Sequence, residues 1–383
     1  MTEQTPPDLI VLSHLRWPWV WQRPHHLVSR LAAARAEQGA RTFFVEEPVR
    51  ADVDAPRLGS QDRDGITRVW LELPTGSTPV DPGFDAPGAE AYGELVAGML
   101  SAAGRPAAPD VWLYTPMAFD LALALRPGRL AYDVMDDLTS FQDAPEGLLL
   151  RQRRALAEAD VVFAGGRSLH AGVLALGRKD AHLFPSGVET AHYERSRTLR
   201  EDRVQQVAGY VGVIDERMDV ALVGELAEAL PDWTIRLVGP VVKISEDSLP
   251  QGPNLEYPGL TAYEELPEVM AGFDVALMPF ALNDATRSIS PTKTLEYLAA
   301  GLPVVSTRVP DVVADYDTVV HLADDGPAFA TACRRVVEHA QDERDHRLRP
   351  IQERQEWDSI AARMAEILDR VPGAGRADAE ASA

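Results

Sequence analysis

The segment Ser290–Val305 places helix-capping residues around a cation and a carboxylate, directly before a predicted buried strand. Ser290 suits the N-cap of a helix, and Pro291 suits its first position, where no backbone N–H is needed. Gly301 suits the left-handed residue that follows the last helical turn. The pattern predicts a short helix whose N-terminal amides are open to a ligand.

Lys293 lies in the first turn of this predicted helix, where a positive charge opposes the helix dipole. A bound phosphate would offset that cost, because helix N-termini bind anions through their backbone amides. Glu296, one turn later, has the reach to accept hydrogen bonds from a pair of neighbouring hydroxyls. The alternative is a capped helix that carries a solvated Lys–Glu pair, and spacing alone leaves both interpretations open.

Three carboxylates, Asp133, Asp136 and Asp137, lie within five residues at the end of the predicted strand Leu130–Val134. Like charges at this spacing repel one another, so the run is costly unless partners or water stabilise it. At the carboxyl end of a parallel strand these side chains would face a ligand-binding cleft, and Asp136 is our candidate for handling a substrate hydroxyl there, as a general base or as a positioning group. Asp137 suits a helix N-cap, and a structural role for the run is the alternative.

Tryptophans alternate along the segment that follows the first predicted strand, at Trp17, Trp19 and Trp21. Packing in the core is the usual role of tryptophan, but three within five residues of a loop exceed what packing requires. Aromatic faces suit a sugar ring or a lipid chain, and polar side chains surround these three. The candidate substrate-binding residues of this segment are His14, Arg16, Trp17, Gln22 and Arg23.

Metal and disulfide chemistry find little support in the sequence. His25 and His26 lie at the start of the predicted helix Pro24–Ala36, without an acidic or cysteine partner at the spacing of metal ligands. The single cysteine, Cys333, excludes an internal disulfide and a cysteine cluster, which fits a reducing cytoplasm. We therefore expect no metal and no cofactor.

Length and composition indicate a globular protein with two domains. The chain has 383 residues, of which 45% are hydrophobic and 25% are charged. Its apolar runs are too short to span a membrane, and its first eight residues lack the basic and apolar regions of a signal peptide. The expected location is the cytoplasm, and peripheral association with the inner face of the membrane stays open.

The net charge of −22 argues against binding to nucleic acid, which requires a basic face. It argues less strongly against contact with anionic lipid, since a local cluster of arginines is sufficient for docking. The segment Arg195–Arg200, followed by Arg203, is the best such cluster. A solvated linker between two domains is the alternative interpretation of this segment.

Predicted strands and helices alternate along both halves of the chain, which is typical of right-handed βαβ units and parallel sheets. The predicted strands of the first half are Leu9–Ser13, Thr42–Glu46, Val69–Leu73, Val111–Tyr114, Leu130–Val134 and Val161–Ala164. Those of the second half are Gln206–Val213, Thr234–Val238, Val275–Met278, Val304–Ser306 and Val319–Leu322. Two doubly wound halves imply a ligand-binding cleft beyond the carboxyl ends of their strands.

Amphipathic helices are predicted between and after these strands. They include Ala89–Ala102, Leu148–Ala159 and, near the end of the sequence, Trp357–Val371. Residues 74–88 are rich in proline, glycine and aspartate and have the composition of a surface loop.

Four segments occur in the order and spacing of one enzyme family: Phe184–Glu189, Tyr210–Val213, Asp274–Phe280 and Ser290–Val305. Over nearly its whole length the chain resembles the retaining glycosyltransferases of the GT-B fold, which use nucleotide-sugar donors. The residues from Ser13 to Leu27 look like those of the bacterial branch that builds cell-wall polysaccharides and exopolysaccharides, the teichuronic-acid type included.

The resemblance implies an α/β protein of the GT-B fold, with two doubly wound Rossmann-like domains and an interdomain cleft. Residues 1–192 would form the acceptor-binding domain, and residues 206–356 the nucleotide-sugar-binding domain, with a linker at 193–205. A helix at 357–372 would cross back to the first domain, and residues 373–383 would form a disordered tail.

In the family, amides of the second-domain helix bind the donor diphosphate, and a glutamate one turn later binds the ribose hydroxyls. By resemblance these roles fall on Ser290–Lys293 and on Glu296. The usual pattern has another glutamate where this chain has Ser288. This difference leaves open how the donor sugar is bound and whether the reaction retains the anomeric configuration. The candidate donor-binding residues are Gly212, Arg217, Ser288, Ser290, Thr292, Lys293 and Glu296.

Arg217 is assigned by position on the strand-end loop. Many relatives carry an arginine directly after the loop glycine, where this chain has Val213. Arg217 is the only cation within reach on this loop, so we expect it to share the phosphate with Lys293. A surface arginine paired with Asp215 or Glu216 is the alternative.

The resemblance implies a metal-independent hexosyltransferase that retains the anomeric configuration. Its donor would be a nucleoside diphosphate sugar, with UDP favoured over GDP. Its acceptor would be a hydroxyl of a saccharide, free or lipid-linked, in the synthesis of surface polysaccharide. A nucleotide-sugar epimerase of the same fold and a catalytically degenerate nucleotide-binding module are the alternatives.

Overall fold

A computed structural model describes residues 5–75, 82–105, 108–138, 147–201, 204–287, 289, 292–337, 351 and 353–372. These residues fall into two compact units. The first unit contains the described residues within 1–165, 170–184 and from 358 onward. The second contains 166–169 and the described residues within 185–357.

The first unit is built on one sheet, which is parallel except for a single hairpin. Its strands are β1 (Leu9–Ser13), β2 (Thr42–Glu46), β3 (Val49–Ala51), β4 (Arg57–Arg63), β5 (Ile66–Pro74), β6 (Asp110–Leu113), β7 (Arg129–Val134), β8 (Val161–Ala164) and β9 (His182–Leu183). Their order is β3-β5-β2-β1-β6-β7-β8-β9, and β4 pairs antiparallel with β5. Every residue of β1, β2, β6, β7 and β8 is buried, as expected for parallel strands covered on both faces.

The hairpin β4–β5 was not predicted from the sequence, where only its second strand was recognised. Its turn consists of Asp64 and Gly65, both with positive φ (+53° and +79°), as a two-residue hairpin turn requires. The Asp64–Gly65 pair was the sequence feature that indicated a hairpin turn. The charged composition of β4 hid it, because an exposed edge strand lacks the apolar alternation of a half-buried strand.

In the first half of the chain, the described residues form five α-helices: α1 (Arg23–Glu37), α2 (Tyr92–Ala102), α3 (Phe119–Ala124), α4 (Leu148–Glu158) and α5 (Arg167–Ala175). The predictions for α1, α2 and α4 are confirmed to within three residues at each end. Part of the loop predicted at 74–88, residues 76–81, lies outside the described residues.

The second unit contains an entirely parallel sheet of six strands among its described residues. They are β10 (Val207–Val211), β11 (Thr234–Val238), β12 (Leu255–Gly259), β13 (Val275–Met278), β14 (Val304–Ser306) and β15 (His321–Leu322). Their order is β12-β11-β10-β13-β14-β15, which places β10 between β11 and β13. The strand β12 was missed, because its residues alternate between half-buried and exposed and include Pro258.

Helices cover both faces of this second sheet. They are α6 (Thr190–Leu199), α7 (Val220–Ala229), α8 (Leu266–Ala271), α9 (Asp284–Arg287), α10 (Thr292–Ala299), α11 (Pro310–Tyr316) and α12 (Gly326–Val337). One apolar cluster joins α6, α8, α10 and α11 to one face, and a second joins α7 and α12 to the other. Cys333 lies buried in the second cluster, where burial raises the pKa of its thiol to about 12.

The arginine-rich segment proposed as a linker or lipid contact is largely helical, since α6 extends to Leu199. Two of its arginines contact the C-terminal end of α10, whereas Arg195 pairs with Glu268. Arg197 donates to Ala299 O (3.1 Å), and Arg200 donates to Ala300 O (3.3 Å). Cations at this end satisfy the last helical carbonyls and complement the helix dipole. These contacts assign a structural role to part of the cluster.

The last described helix, α13 (Trp357–Arg370), is grouped from Asp358 onward with the first unit. Arg129 of β7 donates to Leu368 O (3.0 Å). The guanidinium of Arg363 lies 5.1 Å from the ring centre of Phe184. None of the described helices combines the length and apolarity needed to cross a bilayer.

Candidate functional site

Helix α10 is fixed to the end of β10 by one buried tyrosine. The hydroxyl of Tyr297 accepts from Val211 N (2.8 Å) and donates to Val211 O (3.2 Å). Gly301 ends the helical segment with φ +76°, as predicted. Thr292 is half-buried at the start of α10. Ser288, Ser290 and Pro291, which carried part of the donor-site prediction, lie outside the described residues.

Glu296 is a buried carboxylate in contact with a cation. Its side chain is 7% exposed, and its Oε2 lies 3.1 Å from Lys293 Nζ. Burial raises the pKa of the neighbouring Tyr193 well above its usual value, and the charge of Glu296 adds to that shift. Tyr193 therefore stays protonated. The Lys–Glu pair exists, but burial of the carboxylate distinguishes it from the solvated pair that the sequence left open.

Two glycines bring the ends of β10 and β11 into close approach beside this pair. A Cβ on Gly212 would lie 3.0 Å from Lys293 Cε, and one on Gly239 would lie 1.8 Å from Gly212 O. Both glycines have positive φ, +152° and +148°. Gly212 N donates to Val238 O (2.9 Å), so the two strand ends are joined directly. A side chain on Gly212 would therefore meet the side chains of Tyr210 and Lys293, and one on Gly239 would meet the backbone of Gly212.

Gly239→Ala should lower the free energy of unfolding by about 1–3 kcal/mol, because the new Cβ overlaps a backbone oxygen and the φ disfavours alanine. Gly98→Ala is the matched control. Gly98 lies within α2 with open space around its Cα, so alanine should add about 0.5–1 kcal/mol. Urea titrations measure both. Equal stability of Gly239→Ala and wild type would contradict the close approach.

Arg217 is held by a buried carboxylate on its own loop. Its Nε and Nη2 lie 2.9 Å and 2.6 Å from the oxygens of Asp215, which is 4% exposed. Arg217 O accepts from Ala281 N (2.8 Å), which joins this loop to the segment after β13. The ion pair left open by the sequence is present. The guanidinium is thus fixed in position while its side chain stays 27% exposed.

In the first unit, the acid run at the end of β7 separates into buried and accessible members. Asp133 is fully buried, and Arg23 Nε lies 2.9 Å from its Oδ2. Arg23 is 3% exposed and also donates to Phe184 O (2.8 Å). Asp136 and Asp137 are half-buried. The charge of Asp133 is therefore balanced inside the unit, and only the last two carboxylates can meet a ligand.

The loop between β1 and α1 is held by carboxylates beneath it. Trp17 is 2% exposed; its backbone N donates to Glu46 Oε1 (3.0 Å) and its Nε1 to Asp64 Oδ2 (3.1 Å). Arg16 donates to Glu47 O (3.1 Å). The interior positions of Trp17 and Arg23 correct the expectation that both contact a substrate directly. They are suited to positioning the loop.

The rest of this loop leads into α1 and contains one accessible tryptophan. Gln22 N donates to His25 Nδ1 (3.1 Å), and burial lowers the pKa of His25. The Trp21 ring lies 5.9 Å from the His25 ring. His14 is half-buried, whereas Trp19 is 47% exposed. Within the described residues, no three His, Cys, Asp or Glu side chains form a group that could hold a metal ion.

Sequence reasoning missed the groups that orient these sites: Glu46, Tyr193 and Tyr297. Each acts through a contact between segments far apart in the chain, as from Tyr297 to Val211. No local pattern reports such contacts. Tyr297 directly follows Glu296 in the sequence, but an aromatic residue within a helix does not indicate which distant strand it contacts.

Comparison with known families finds a match in the second unit. The family described as "Glycosyl transferases group 1" matches residues 205–339. TuaH of Bacillus subtilis strain 168, provisionally named a teichuronic acid biosynthesis glycosyltransferase, is 29% identical over 222 residues. That alignment covers 54% of this chain and 56% of TuaH, so the chain spans about half the length of the curated relative that it matches.

Solved structures match along almost the whole chain. Anabaena Alr3699/HepE, in complex with UDP and glucose, has a TM-score of 0.68 at 16% identity and covers 95% of this chain and 100% of its own. Sucrose-phosphate synthase from Thermosynechococcus elongatus has a TM-score of 0.62 at 16% identity, covering 94% and 98%. At these identities the likeness shows the fold, which is GT-B.

Proposed function

We propose that this chain, whose residues 205–339 form a group 1 glycosyl transferase domain in a GT-B fold, transfers a sugar from a nucleotide donor. The donor we propose is a UDP-sugar, and the acceptor is a hydroxyl of a saccharide or lipid-linked saccharide. The observation that carries the proposal is the buried Glu296 paired with Lys293, whose side chain lies against Gly212 after the end of β10.

Each of these groups has a defined task toward the donor. Glu296 accepts hydrogen bonds from the two ribose hydroxyls, since an ionised carboxylate offers two acceptor oxygens. Lys293 and the first amides of α10 bind the diphosphate, the ligand that a helix N-terminus favours. Because Gly212 has no side chain, Lys293 can lie against the backbone after the end of β10, where its ammonium meets the diphosphate.

The choice of UDP is supported by the complex of Anabaena Alr3699/HepE with UDP and glucose. The name of TuaH supports a role in surface polysaccharide synthesis. Since these are properties of other proteins, the nucleotide and the hexosyl group belong to the proposal. A cytoplasmic location, with peripheral association at the membrane left open, belongs to it as well.

The stereochemistry decides which group receives the acceptor proton. With retention of configuration, the leaving diphosphate takes that proton, while Lys293 and Arg217 stabilise its developing charge. With inversion, Asp136 acts as the general base. We propose retention, and an NMR spectrum of the first product formed distinguishes the two by the anomeric proton.

The acceptor, we propose, binds at the loop between β1 and α1 and meets His14, Arg16 and Gln22. Trp19 is the aromatic residue of that loop that is open to a ring. Trp19→Ala should raise the KM for the acceptor about 2- to 12-fold, since one aromatic contact contributes about 0.5–1.5 kcal/mol. The KM for the donor should not change. An unchanged acceptor KM would remove Trp19 from the site.

The test of the proposed function is a panel of nucleotide sugars, with and without saccharide acceptors. A UDP-sugar should raise the midpoint of thermal unfolding by mass action and release UDP when the right acceptor is present. A new sugar nucleotide formed without acceptor would instead identify an epimerase. Binding of UDP without turnover on any acceptor would identify a degenerate binding module.

A further inference from the structure

Three adjacent strand-end loops of the second unit are joined to one another. The loop after β10 lies between those after β11 and β13, as the strand order requires. Ile214 pairs with Val241 in a parallel bridge, and Ile214 N donates to Pro240 O (2.9 Å). On the other side Met218 pairs with Phe280 in an antiparallel bridge. The loop after β10 is therefore fixed from both sides.

Glu216 is at the centre of this arrangement. Its Oε1 lies 3.1 Å from Lys243 Nζ, on the loop after β11. Its backbone O accepts from Asn283 Nδ2 (3.3 Å), on the segment after β13. Lys243 follows the bridged Val241 by two residues, just as Glu216 follows Ile214. The ammonium is thus placed in register with the loop that carries Arg217.

The backbone of Lys243 is in an unusual conformation. Its φ is +63°, in the left-handed region that a lysine seldom adopts. Such residues are held in place by their surroundings and cluster at ligand-binding positions. Its side chain is 44% exposed, so the ammonium keeps access to solvent while it contacts Glu216. The carboxyl ends of parallel strands, where Lys243 lies, are where ligands of such sheets bind.

The charged side chains at this edge of the sheet indicate which class of ligand it binds. Beyond the carboxyl ends of β10, β11 and β13, the described residues provide, apart from the surface pair of Arg287 and Asp284, three cation–carboxylate contacts: Arg217 with Asp215, Lys293 with Glu296, and Lys243 with Glu216. Asp215 and the side chain of Glu296 are buried, whereas Lys243 is the most exposed of the three cations. A partly exposed ammonium on the loop next to the one that carries Arg217 suits the outer phosphate of a diphosphate.

We propose that Lys243 is a further donor-binding residue, whose ammonium exchanges Glu216 for the terminal phosphate of the bound nucleoside diphosphate. The inference rests on the proposed function, because it assumes that this edge of the sheet receives a nucleotide. The proposal predicts that Lys243 makes the protein bind a diphosphate more tightly than a monophosphate. The Lys293–Glu296 pair alone does not predict this difference.

Calorimetric titrations of Lys243→Met with UDP and with UMP test this proposal. UDP binding should weaken about 3- to 20-fold, the loss of one partly exposed charge-assisted hydrogen bond. UMP binding should stay within about twofold of wild type, because UMP lacks the terminal phosphate. The unfolding midpoint without nucleotide shows that the variant is folded.

Two further variants separate phosphate binding from a structural role of the Lys243–Glu216 pair. Glu216→Gln removes the carboxylate that competes for the ammonium, so UDP should bind as tightly as to wild type or more tightly. If the Lys243–Glu216 pair had a structural role, Lys243→Met and Glu216→Gln would each weaken the binding of UDP and the binding of UMP to the same extent. Lys179→Met is the matched control, since Lys179 is an exposed lysine of the first unit that donates to Leu174 O. It should change neither affinity.

The remaining outcomes overturn the proposal. Equal UDP affinity in Lys243→Met and wild type would show that Lys243 does not meet the phosphate. Weakened binding of UDP-glucose alone, with UDP unchanged, would assign it to the donor sugar. If wild type binds no UDP, the proposed function fails as well, whereas wild-type binding with an unaffected variant removes only Lys243.

Discussion

Asp136→Asn should lower turnover, by about 10²–10⁴ if the reaction inverts and Asp136 is the base, and by less if the reaction retains and Asp136 only positions the acceptor hydroxyl. Asparagine keeps the shape and part of the hydrogen bonding but removes both the base and the negative charge. Asp136 is half-buried directly after β7, in the first unit, whereas the proposed nucleotide site belongs to the second. The affinity for UDP should therefore stay unchanged. Turnover is measured as the release of UDP in the presence of the acceptor that the panel of nucleotide sugars and saccharides identifies.

Asp137→Asn is the matched control for this prediction. Asp137 has similar burial and differs by one position, and asparagine remains a good N-cap, so activity and stability should barely move. Full activity of both variants would make the acid run structural and leave proton transfer to the donor phosphate. Loss of activity in Asp137→Asn alone would move the role by one residue.

Glu296→Ala should weaken UDP binding by at least about 10- to 100-fold, since even one charge-assisted hydrogen bond to a ribose hydroxyl contributes about 1.5–3 kcal/mol. The base and phosphates keep their partners, so some binding should remain. Calorimetry with UDP and with 2′,3′-dideoxy-UDP separates the contributions. The variant should lose its preference for the ribose form, because the group that recognises the hydroxyls is gone.

Stability must be measured in parallel, because Glu296 is buried beside Lys293 rather than on an open helix face. Glu296→Gln is the gentler variant, since it keeps the volume and one acceptor oxygen. Glu268→Gln is the control; Glu268 is half-exposed and pairs with Arg195 on the surface of the same unit. If Glu296→Ala is folded and binds UDP like wild type, the ribose role belongs to another residue.

Local chemistry explains what the sequence predicted well. Buried strands such as β1 and β13 are continuous apolar runs, and Gly301 takes the positive φ that the end of α10 requires. The pairing of Arg217 with Asp215 was foreseen as an alternative, because the two residues are close in sequence. Contacts within one turn or one loop can be predicted from spacing.

Long-range partners could not be predicted in this way. The charge of Asp133 was read as part of a repelling run, but Arg23, 110 positions earlier, balances it inside the unit. Trp17 was expected to meet a substrate, but Glu46 and Asp64 hold it in the interior. Burial depends on which segments come together, and a single sequence does not specify those pairings.

Backbone conformation was the other feature that could not be predicted from the sequence. Composition and periodicity do not predict the positive φ of Lys243. Nor do they predict that only glycine fits at position 239, where a Cβ would lie 1.8 Å from Gly212 O. The edge strand β4 was missed for a related reason, because its pairing depends on the Asp64–Gly65 turn rather than on an apolar pattern. Such features appear only once the strand ends are placed side by side.

A calorimetric titration of the wild-type chain with UDP tests the central claim most directly. The account predicts saturable binding at one site per chain, weakened in Lys293→Met because the diphosphate loses a cation that lies next to Gly212. Uridine, which has no phosphate, should bind Lys293→Met and wild type alike. Absence of saturable UDP binding to the folded wild-type chain would contradict the account.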